Sequence, residues 1–253
     1  DHVLSAEYDG AGVILLVDIA LEAVVEIDLS TGDRTIISDT GRGSGTDLSV
    51  PLGLALDTAN DRALVVDNGI DALVEVDLST GDRTIHSSSD TDNMVGTGPP
   101  LTTPRSVRLD AANNRALVME STWQALVAVD LATGGRSFGS SGSVGSGPLF
   151  QQPLALTWYD GQLVFVDNDR SALMSVNPDT GTRMDVSRAG AGTGPLLDYP
   201  LSVDIIGDRA VIVDFDRAAL MAVDLNTGER IIISDEEEGS GVPMFAPLTM
   251  AVD

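Results

Sequence analysis

Cysteine is missing from this chain of 253 residues, and histidine occurs only twice. Without cysteine the chain can form no disulfide, no thiolate metal site and no cysteine nucleophile. His2 stands at the terminus, and His86 occupies a position where an equivalent segment carries Ile37. No Gly-x-Ser-x-Gly nucleophile elbow is present, so neither that motif nor a serine–histidine triad supports nucleophilic catalysis.

Lysine is missing too, so arginine supplies all 14 basic side chains against 39 acidic ones, and the formal net charge is −25. Such a charge is repelled by phosphate backbones and anionic lipid, so neither nucleic acid nor a membrane surface is an expected partner. Three explanations of the acidity remain open: a well-hydrated surface suited to high salt, bound divalent cations, or a genome that prefers arginine codons.

Long apolar runs are also missing. None approaches the roughly eighteen residues that a membrane-spanning helix needs, and the longest, around residues 13–17, has the length of a strand. The chain opens at Asp1 without the basic and apolar regions of a signal peptide. We expect an exported protein, extracellular or periplasmic, whose export signal is already gone or was never there.

Three landmarks recur about every fifty residues along the chain. The first is a short apolar run that ends in an acid, at Asp18, Asp67, Glu120, Asp167 and Asp214. A Thr-Gly pair follows each run, and a proline marks the return to the next copy, at Pro51, Pro104, Pro153, Pro200 and Pro247. Three landmarks in five copies indicate an internal repeat.

Each copy is predicted to contain four short strands, as the second copy illustrates. Residues 51–57 and 72–78 alternate in the way of period-two strands, and residues 62–67 form an apolar run suited to a strand buried on both faces. Residues 83–86 follow a Ser-Thr-Gly-Asp turn. Four-stranded units of this length without helical periodicity are typical of β-propeller blades.

We therefore predict an all-β protein, a single β-propeller domain over residues 1–253 built from four-stranded antiparallel blades. The five complete repeats cover about 1–49, 50–102, 103–151, 152–198 and 199–246. Residues 247–253 match the first-strand pattern once more and are predicted to be an extra innermost strand. This leaves both a five-bladed and a six-bladed propeller open.

The stretch from Ala63 to Asp77 resembles the NHL-type repeat, in which a strand ends in Asp, a short polar turn follows, and the next strand ends in Asp. It is also similar to blades of the six-bladed lactonase-like propellers, which include gluconolactonase-like proteins. The resemblance implies a propeller, whereas its members include hydrolases, lyases, ligand sensors and interaction scaffolds. It also implies, for a lactonase-like site, a cation held by a first-strand acid together with an Asn and an Asp from other blades.

In a propeller, the loop before each first strand and the turn after each second strand lie at the same mouth. The candidate residues at this mouth are Asp18, Asp67, Asn68, Glu120, Trp123, Asp167, Asn168, Asp214 and Phe215. The acids could surround a hard cation such as Ca²⁺, or each could cap its own turn by accepting backbone N–H groups. Because an acid occurs in every copy, capping is favoured. Trp123 and Phe215 are the best candidates for ligand contact.

One inward-facing position of the first strands differs from copy to copy: Glu7, Ala55, Arg108, Thr157, Asp204 and Ala251. First strands line the channel, where charges are costly unless they are paired or hydrated. One interpretation is a metal or substrate site with Glu7 and Asp204 as ligands, as the lactonase-like resemblance implies, although no Asn stands at a matching position. The favoured interpretation is a water-filled channel in which Arg108 pairs with a carboxylate.

The favoured function is a non-enzymatic scaffold that binds a protein, a small molecule or a glycan through its Gly-rich loops, with no certain cofactor. The Gly-x-Gly-Pro segments at 96–99, 145–148 and 192–195 are interpreted as loops, because no helix follows them to bind phosphate. The alternative function is a metal-dependent hydrolase or lyase, lactonase-like, with a channel site and Ca²⁺ as its cation.

Overall fold

The computed structural model describes residues 3–245 and 247–250. These residues form five four-stranded antiparallel sheets, the blades of a β-propeller, and one short 3-10 turn, Ala111–Asn113. The predicted all-β propeller of five complete blades is thereby confirmed. Within these residues no helix is long and apolar enough to cross a membrane.

The strands follow the repeat in chain order. Blade 1 contains β1 (Val3–Tyr8), β2 (Val13–Asp18), β3 (Ala23–Asp28) and β4 (Arg34–Ser38), and blade 2 contains β5 (Pro51–Asp57), β6 (Arg62–Asp67), β7 (Ala72–Asp77) and β8 (Arg83–Ser88). Blade 3 contains β9 (Pro104–Asp110), β10 (Arg115–Glu120), β11 (Ala125–Asp130) and β12 (Arg136–Ser140). Blade 4 contains β13 (Pro153–Tyr159), β14 (Gln162–Asp167), β15 (Ala172–Val176) and β16 (Arg183–Ser187), and blade 5 contains β17 (Pro200–Ile206), β18 (Arg209–Asp214), β19 (Ala219–Asp224) and β20 (Arg230–Ser234).

The second strands were predicted at 62–67, 115–119, 162–167 and 209–214. All four are confirmed, with β10 extending one residue further, to Glu120. Of the predicted extra strand, residues 247–250 adopt no regular secondary structure and residues 251–253 lie outside the described residues. That strand stays a prediction.

The chain divides into two compact units. Among the described residues, the first unit comprises 3–122 and 126–138, and the second comprises 123–125, 139–245 and 247–250. In the first unit the innermost strands β1, β5 and β9 contact one another in order, and in the second unit β13 contacts β17. The single-domain prediction over residues 1–253 stays a prediction.

Aliphatic runs in the second and third strands form the core of each unit. In the first unit Leu54, Val65 and Val74 are fully buried in one cluster with side chains of blade 1. In the second unit Val166 and Ile212 are fully buried in a corresponding cluster. Both faces of these strands are covered by protein. Their sequences are therefore continuous apolar runs rather than alternations of apolar and polar residues. Burial of each such side chain stabilises the fold by about 1.5–3 kcal/mol.

The first and second strands pair in a register that places a proline opposite an acid. Pro51 pairs with Asp67, and Pro200 pairs with Asp214. Proline has no N–H to donate and is tolerated at the first residue of a strand. The loop that leads into each first strand therefore lies directly beside the turn that follows the second strand.

Candidate binding face

The end of each blade where the first strand begins and the second strand ends is called the loop face here. The loop-face acids of blades 2 to 5 are fully buried: Asp67, Glu120, Asp167 and Asp214. A buried carboxylate is tolerated only when hydrogen bonds replace its lost hydration. Their bonding partners therefore decide whether these acids are available to a ligand.

Asp67 shows what the buried acids bind. Its Oδ2 accepts the backbone N–H of Ser49 at 2.7 Å, and its Oδ1 accepts those of Val50 at 2.9 Å and Gly69 at 2.8 Å. The carboxylate thus ties the incoming loop to the turn of its own blade. Asx-type acceptance of this kind is the usual work of Asp in turns.

The other blades repeat this arrangement. Glu120 accepts from Thr102 and Thr103, Asp167 from Gln151 and Gln152, and Asp214 from Asp198, Tyr199 and Arg217. In blade 1, Asp18 accepts from Ala20 and Leu21 of its own turn. Burial raises the pKa of Asp167, and the N–H groups of Gln151 and Gln152 act in the opposite direction. The geometry favours the capping interpretation over a ring of carboxylates around a cation.

The two asparagines that follow these acids also serve the loops. Asn168 is buried, and its side-chain amide donates to Gln152 Oε1 at 2.8 Å. Asn68 donates its backbone N–H to Val50 O at 2.9 Å. Its Oδ1 is buried without a hydrogen-bond partner among the described residues. The Asn168 side chain and the Oδ1 atom of Asn68 therefore lie within the protein.

The first-strand charges lie in separate units, with Glu7 and Arg108 in the first and Asp204 in the second. Arg108 Nη1 lies 2.9 Å from Glu7 Oε1, so the predicted Arg108–carboxylate pair is present. A guanidinium at that distance opposes the binding of a cation by Glu7. Asp204 accepts from Thr157 Oγ1 at 3.2 Å and from the N–H of Ile205 at 2.9 Å. Ala251, at the same strand position, lies outside the described residues.

The geometry gives little support to a metal site or to a catalytic histidine. Across residues 3–245 and 247–250, no group of three or more Asp, Glu or His side chains is arranged to hold a metal ion. His86 Nε2 lies 2.8 Å from Leu131 O, and its Nδ1 lies 3.6 Å from Glu75 Oε2. It therefore contacts its neighbours within the first unit. His2 lies outside the described residues.

An acid caps the turn between the third and fourth strands in four of the five blades. The hydroxyl and N–H of Ser79 and the N–H of Thr80 donate to Asp77, and these bonds lower its pKa. The pKa is lowered by equivalent turn bonds at Asp28, Asp130 and Asp224. Blade 4 has Asn177 at this position, with the same bonds to its side-chain oxygen. The repeated acids of the sequence are in large part turn-forming groups.

A cavity of about 300 Å³ lies between blades 4 and 5 within the second unit, away from the loop face. Its wall includes Tyr159, Asp185 and Asn226. Asp185 Oδ1 lies 2.8 Å from Arg170 Nη2, and its Oδ2 lies 2.5 Å from Arg188 Nε. Both oxygens of this carboxylate are therefore engaged by guanidinium groups of the same unit.

A buried arginine at the start of the fourth strand of blades 2 to 5 was not recognised from the sequence. Arg183, which is 3% exposed, begins β16 and reaches into the loop that follows blade 3. Its Nη1 donates to Ser140 Oγ, to Ser141 O at 2.9 Å and to Val144 O at 3.0 Å. Its Nε donates to Pro148 O at 2.7 Å. The guanidinium of Arg183 thus donates hydrogen bonds to four acceptors in and beside this loop.

We call this arrangement the arginine cradle. It consists of a Gly-x-Gly loop and of the serine near the end of the fourth strand that precedes this loop. Together they surround the arginine that begins the fourth strand of the next blade. The same bonds join Arg83 to Ser38, Asp39, Arg42 and Thr46, Arg136 to Ser87, Ser88, Val95 and Pro99, and Arg230 to Ser187, Arg188, Ala191 and Pro195. Burial lowers the pKa of Arg136, Arg183 and Arg230. The side chains remain charged because arginine starts far above neutrality.

Exposed apolar side chains occur in several loops and turns of the second unit, near the ends of its first and second strands. Their exposed fractions are 48% for Trp123, 54% for Leu149, 44% for Leu196 and 39% for Tyr199. The ring of Tyr199 lies 5.9 Å from that of half-buried Phe215. We call these five residues the loop-face patch. Of the five, Trp123 and Phe215 were predicted as ligand-contact residues.

Hydrogen bonds hold the patch in place on its loops. Gln124 Nε2 donates to Gln151 O at 2.8 Å, which joins the turn of Trp123 to the loop of Leu149. Arg217 Nε donates to Leu196 O at 2.7 Å. The patch therefore belongs to ordered loops rather than to loose segments. Ordered apolar and aromatic surface of this kind is enriched at protein interfaces.

Comparison with known proteins supports the fold. No family model matches the chain, and no curated protein matches it. A chain in the crystal structure of a nidogen/laminin complex is similar with a TM-score of 0.69 and 19% identity, over 90% of this chain and 78% of that chain. A structural genomics protein of unknown function from Bacteroides thetaiotaomicron VPI-5482 is similar with a TM-score of 0.69 and 16% identity, over 100% of this chain and 64% of that chain. At these identities the likeness shows the propeller fold alone, and the NHL-type and lactonase-like resemblance stays a prediction.

Proposed function

We propose that this chain is a non-enzymatic propeller scaffold that binds a protein partner through the loop-face patch, and that it acts outside the cytoplasm, in an extracellular or periplasmic setting. The observation that carries the proposal is the exposed aromatic and aliphatic surface of Trp123, Leu149, Leu196, Tyr199 and Phe215 on loops fixed by hydrogen bonds. A contiguous exposed apolar patch rimmed by polar residues marks an interaction site.

The chemistry of the patch suits a protein better than a nucleic acid. Trp and Tyr present rigid apolar area with a polar edge, and residues of these types dominate binding energy at protein interfaces. Arg217 is exposed beside Leu196 and supplies a cation at the margin of the patch. The net charge of −25 disfavours phosphate-rich partners. A glycan or small molecule that stacks on Trp123 remains the alternative ligand.

The charged residues that were candidates for a metal or substrate site support this proposal, because they form hydrogen bonds and ion pairs within the protein. Asp67, Asp167 and Asp214 accept backbone N–H groups of their own blades, and Glu7 pairs with Arg108. Catalysis by a metal-dependent hydrolase would require acids that face a cation instead. The similar nidogen chain comes from a complex with laminin, which illustrates that the propeller architecture binds proteins.

The proposal predicts that a ligand selected on the whole chain binds at the patch. Peptides selected from a random displayed library against the immobilised protein are expected to lose about tenfold or more in affinity for Trp123→Ser and for Tyr199→Ser, because truncation of such aromatic anchors costs that much. The measurement is the dissociation constant of each purified peptide by fluorescence anisotropy.

Ile206→Ser is the matched control. Ile206 is 54% exposed but ends β17, at the opposite end of its blade from the loop face. It is expected to leave peptide affinity unchanged. Peptides that bind the two patch variants as tightly as the unaltered chain, or that lose affinity with Ile206→Ser instead, would contradict the proposal.

A further inference from the structure

The cavity between blades 4 and 5 has both buried and exposed walls. Its volume of about 300 Å³ is at the lower end of the range found for small-molecule sites in proteins. Val164 and Ser175 are buried in its wall, with 2% and 8% of their surfaces exposed. Asp160, Met184 and Asn226 also line it and are exposed. All these residues belong to the second unit, so one compact body forms a pocket that is open to solvent.

Two polar side chains in the cavity wall have no hydrogen-bond partner among the residues that the structure describes. Ser175 lies in β15 and is more than nine-tenths buried, yet its hydroxyl forms no hydrogen bond within 3–245 and 247–250. The side-chain amide of Gln162, at the start of β14, forms none within the same residues. A buried polar group without a partner calls for an explanation, because nearly all such groups in folded proteins are hydrogen-bonded. A polar ligand in the cavity supplies the missing partner.

The corresponding space between blades 2 and 3, in the first unit, holds large charged side chains. Arg62 Nη1 lies 2.5 Å from Glu75 Oε2, and His86 Nε2 lies 2.8 Å from Leu131 O. Strand register relates three residues of blade 4 to these side chains: Ser175 to Glu75, Gln162 to Arg62 and Val186 to His86. The three residues of blade 4 are shorter and carry no charge. The cavity therefore corresponds to the place where blade 2 has an arginine and a histidine of the chain itself.

Negative charge gathers at one side of the cavity. Partial burial raises the pKa of the Tyr159 hydroxyl in its wall, and the carboxylates of Asp208, Asp160 and Asp224 raise this pKa further. The Asp185 carboxylate adds no unpaired charge, because two guanidinium groups of the same unit already engage both of its oxygens. The unit thus carries several carboxylates near the Tyr159 ring. An electrostatic environment of this kind attracts a cation and repels an anion.

We propose that this cavity binds a small alkylguanidinium compound. The planar cationic head takes the position that the Arg62 guanidinium holds in blade 2, and it donates to Ser175 Oγ and Gln162 Oε1. A guanidinium group has five N–H donors and no acceptor, so it matches a wall of hydroxyl, amide and carboxylate oxygens. Met184, which is 58% exposed, and Leu225 offer apolar contact to the alkyl chain. The loop-face patch takes no part in this site.

The test titrates the full chain with butylguanidinium and follows its backbone and side-chain amide signals by NMR spectroscopy. We expect saturable shifts at Ser175, Gln162 and Asn226, with a dissociation constant of about 1 mM or tighter, which a ligand of so few atoms can reach. Butylurea has the same planar shape without the charge. It is expected to bind about tenfold more weakly, because charge-assisted hydrogen bonds are roughly twice as strong as neutral ones.

Gln162→Arg tests whether the ligand occupies the position of the missing arginine. Blades 2, 3 and 5 have arginine at this register position, so the substitution is compatible with a blade: Arg62, Arg115 and Arg209. We expect it to abolish binding, because the new guanidinium fills the cavity. Ser175→Ala removes only a hydroxyl and is expected to weaken binding by about fivefold or more, the effect of losing a hydrogen bond to a charged group.

Asp160→Asn and Asp216→Asn are a matched pair, because each removes one exposed carboxylate of the second unit. Asp160 lines the cavity, whereas Asp216 lies in the turn after β18, at the loop face. We expect Asp160→Asn to weaken binding by about threefold, the effect of one exposed charge, and Asp216→Asn to leave it unchanged.

Four results would overturn the proposal: no saturable shifts, shifts confined to other parts of the chain, equal affinity for butylurea, or undiminished binding by Gln162→Arg. Circular dichroism of each variant checks that its fold is retained. Peptide binding at the loop-face patch is measured separately, so failure of this test leaves the proposed function standing.

Discussion

Arg183→Met is expected to lower the free energy of unfolding by about 3 kcal/mol or more, since removing one member of a buried charged network leaves its partners unsatisfied. The guanidinium satisfies Ser140 Oγ and the carbonyls of Ser141, Val144 and Pro148, and methionine replaces only its aliphatic stem. Each buried acceptor left without a donor costs about 1–3 kcal/mol. Urea unfolding followed by circular dichroism measures the change.

Arg34→Met is the matched control, because Arg34 begins β4 as Arg183 begins β16 but is exposed. An exposed substitution of this kind is expected to change stability by no more than about 0.5 kcal/mol. The comparison separates the cradle from any intrinsic preference for arginine at the start of a fourth strand. Equal effects of the two substitutions would show that the cradle does not stabilise the fold.

Gly192→Ala is expected to be comparably damaging, by about 3 kcal/mol or more, because left-handed strain and overpacking add. Gly192 has φ +77°, and an added Cβ would lie 1.9 Å from Gly228 O. The position of the Cβ is fixed by the backbone and its neighbour is a backbone carbonyl, so no side-chain rotation relieves the overlap. The contact between the loop and the Thr-Gly turn has to open. Thermal unfolding and hydrogen exchange at Gly228 measure the loss.

Gly239→Ala supplies the control at the same repeat position. Its φ of +97° imposes a similar strain, but its Cβ would meet only Ser234 Oγ, at 3.3 Å. We expect a cost of about 1–2 kcal/mol, the strain of an L-residue in left-handed backbone. A Gly192→Ala chain as stable as Gly239→Ala would mean that the blades do not need the close approach seen at the cradle.

The strands could be predicted because their signal is local and repeated. Residues 62–67 and 209–214 are aliphatic runs bounded by turn residues, and a propeller buries both faces of such strands. The capping function of Asp67 was also open to prediction, since an acid present in every copy points to a shared structural need. The sequence pattern could not tell which N–H groups it accepts, because Ser49 and Val50 lie in a loop of variable length.

The arginine cradles were missed although their signal was present. A Thr-Gly-x-Arg sequence occurs in all five copies, at Arg34, Arg83, Arg136, Arg183 and Arg230. In so acidic a chain the arginines were counted only as charges opposed to carboxylates. Their main partners are instead loop carbonyls, which every sequence contains, so composition gives no sign of them. Only the packing of neighbouring blades identifies the loop that each arginine enters.

The loop-face patch could be predicted in part. Trp123 and Phe215 were singled out because they stand in turns that follow second strands. Leu149 was not, because it precedes Phe150 in an apolar pair of which one member is buried and the other 54% exposed. The conformation of the turns between the second and third strands could not be predicted either. The residues with positive φ in these turns are not glycines: Glu22, Asp71, Gln124, Ser171 and Ala218. Left-handed backbone at such residues is set by tertiary packing rather than by local preference.

The central proposal is that the carboxylates of this chain hold loops and pair with arginines, and that its function is binding rather than metal-dependent catalysis. Calorimetric titration of the metal-stripped chain with Ca²⁺ tests it most directly. We expect no saturable binding tighter than about 1 mM, because tight sites need several oxygen ligands that converge on the ion. Glu7→Gln and Asp204→Asn are expected to leave the titration unchanged. A micromolar calcium site that either substitution abolishes would contradict the claim.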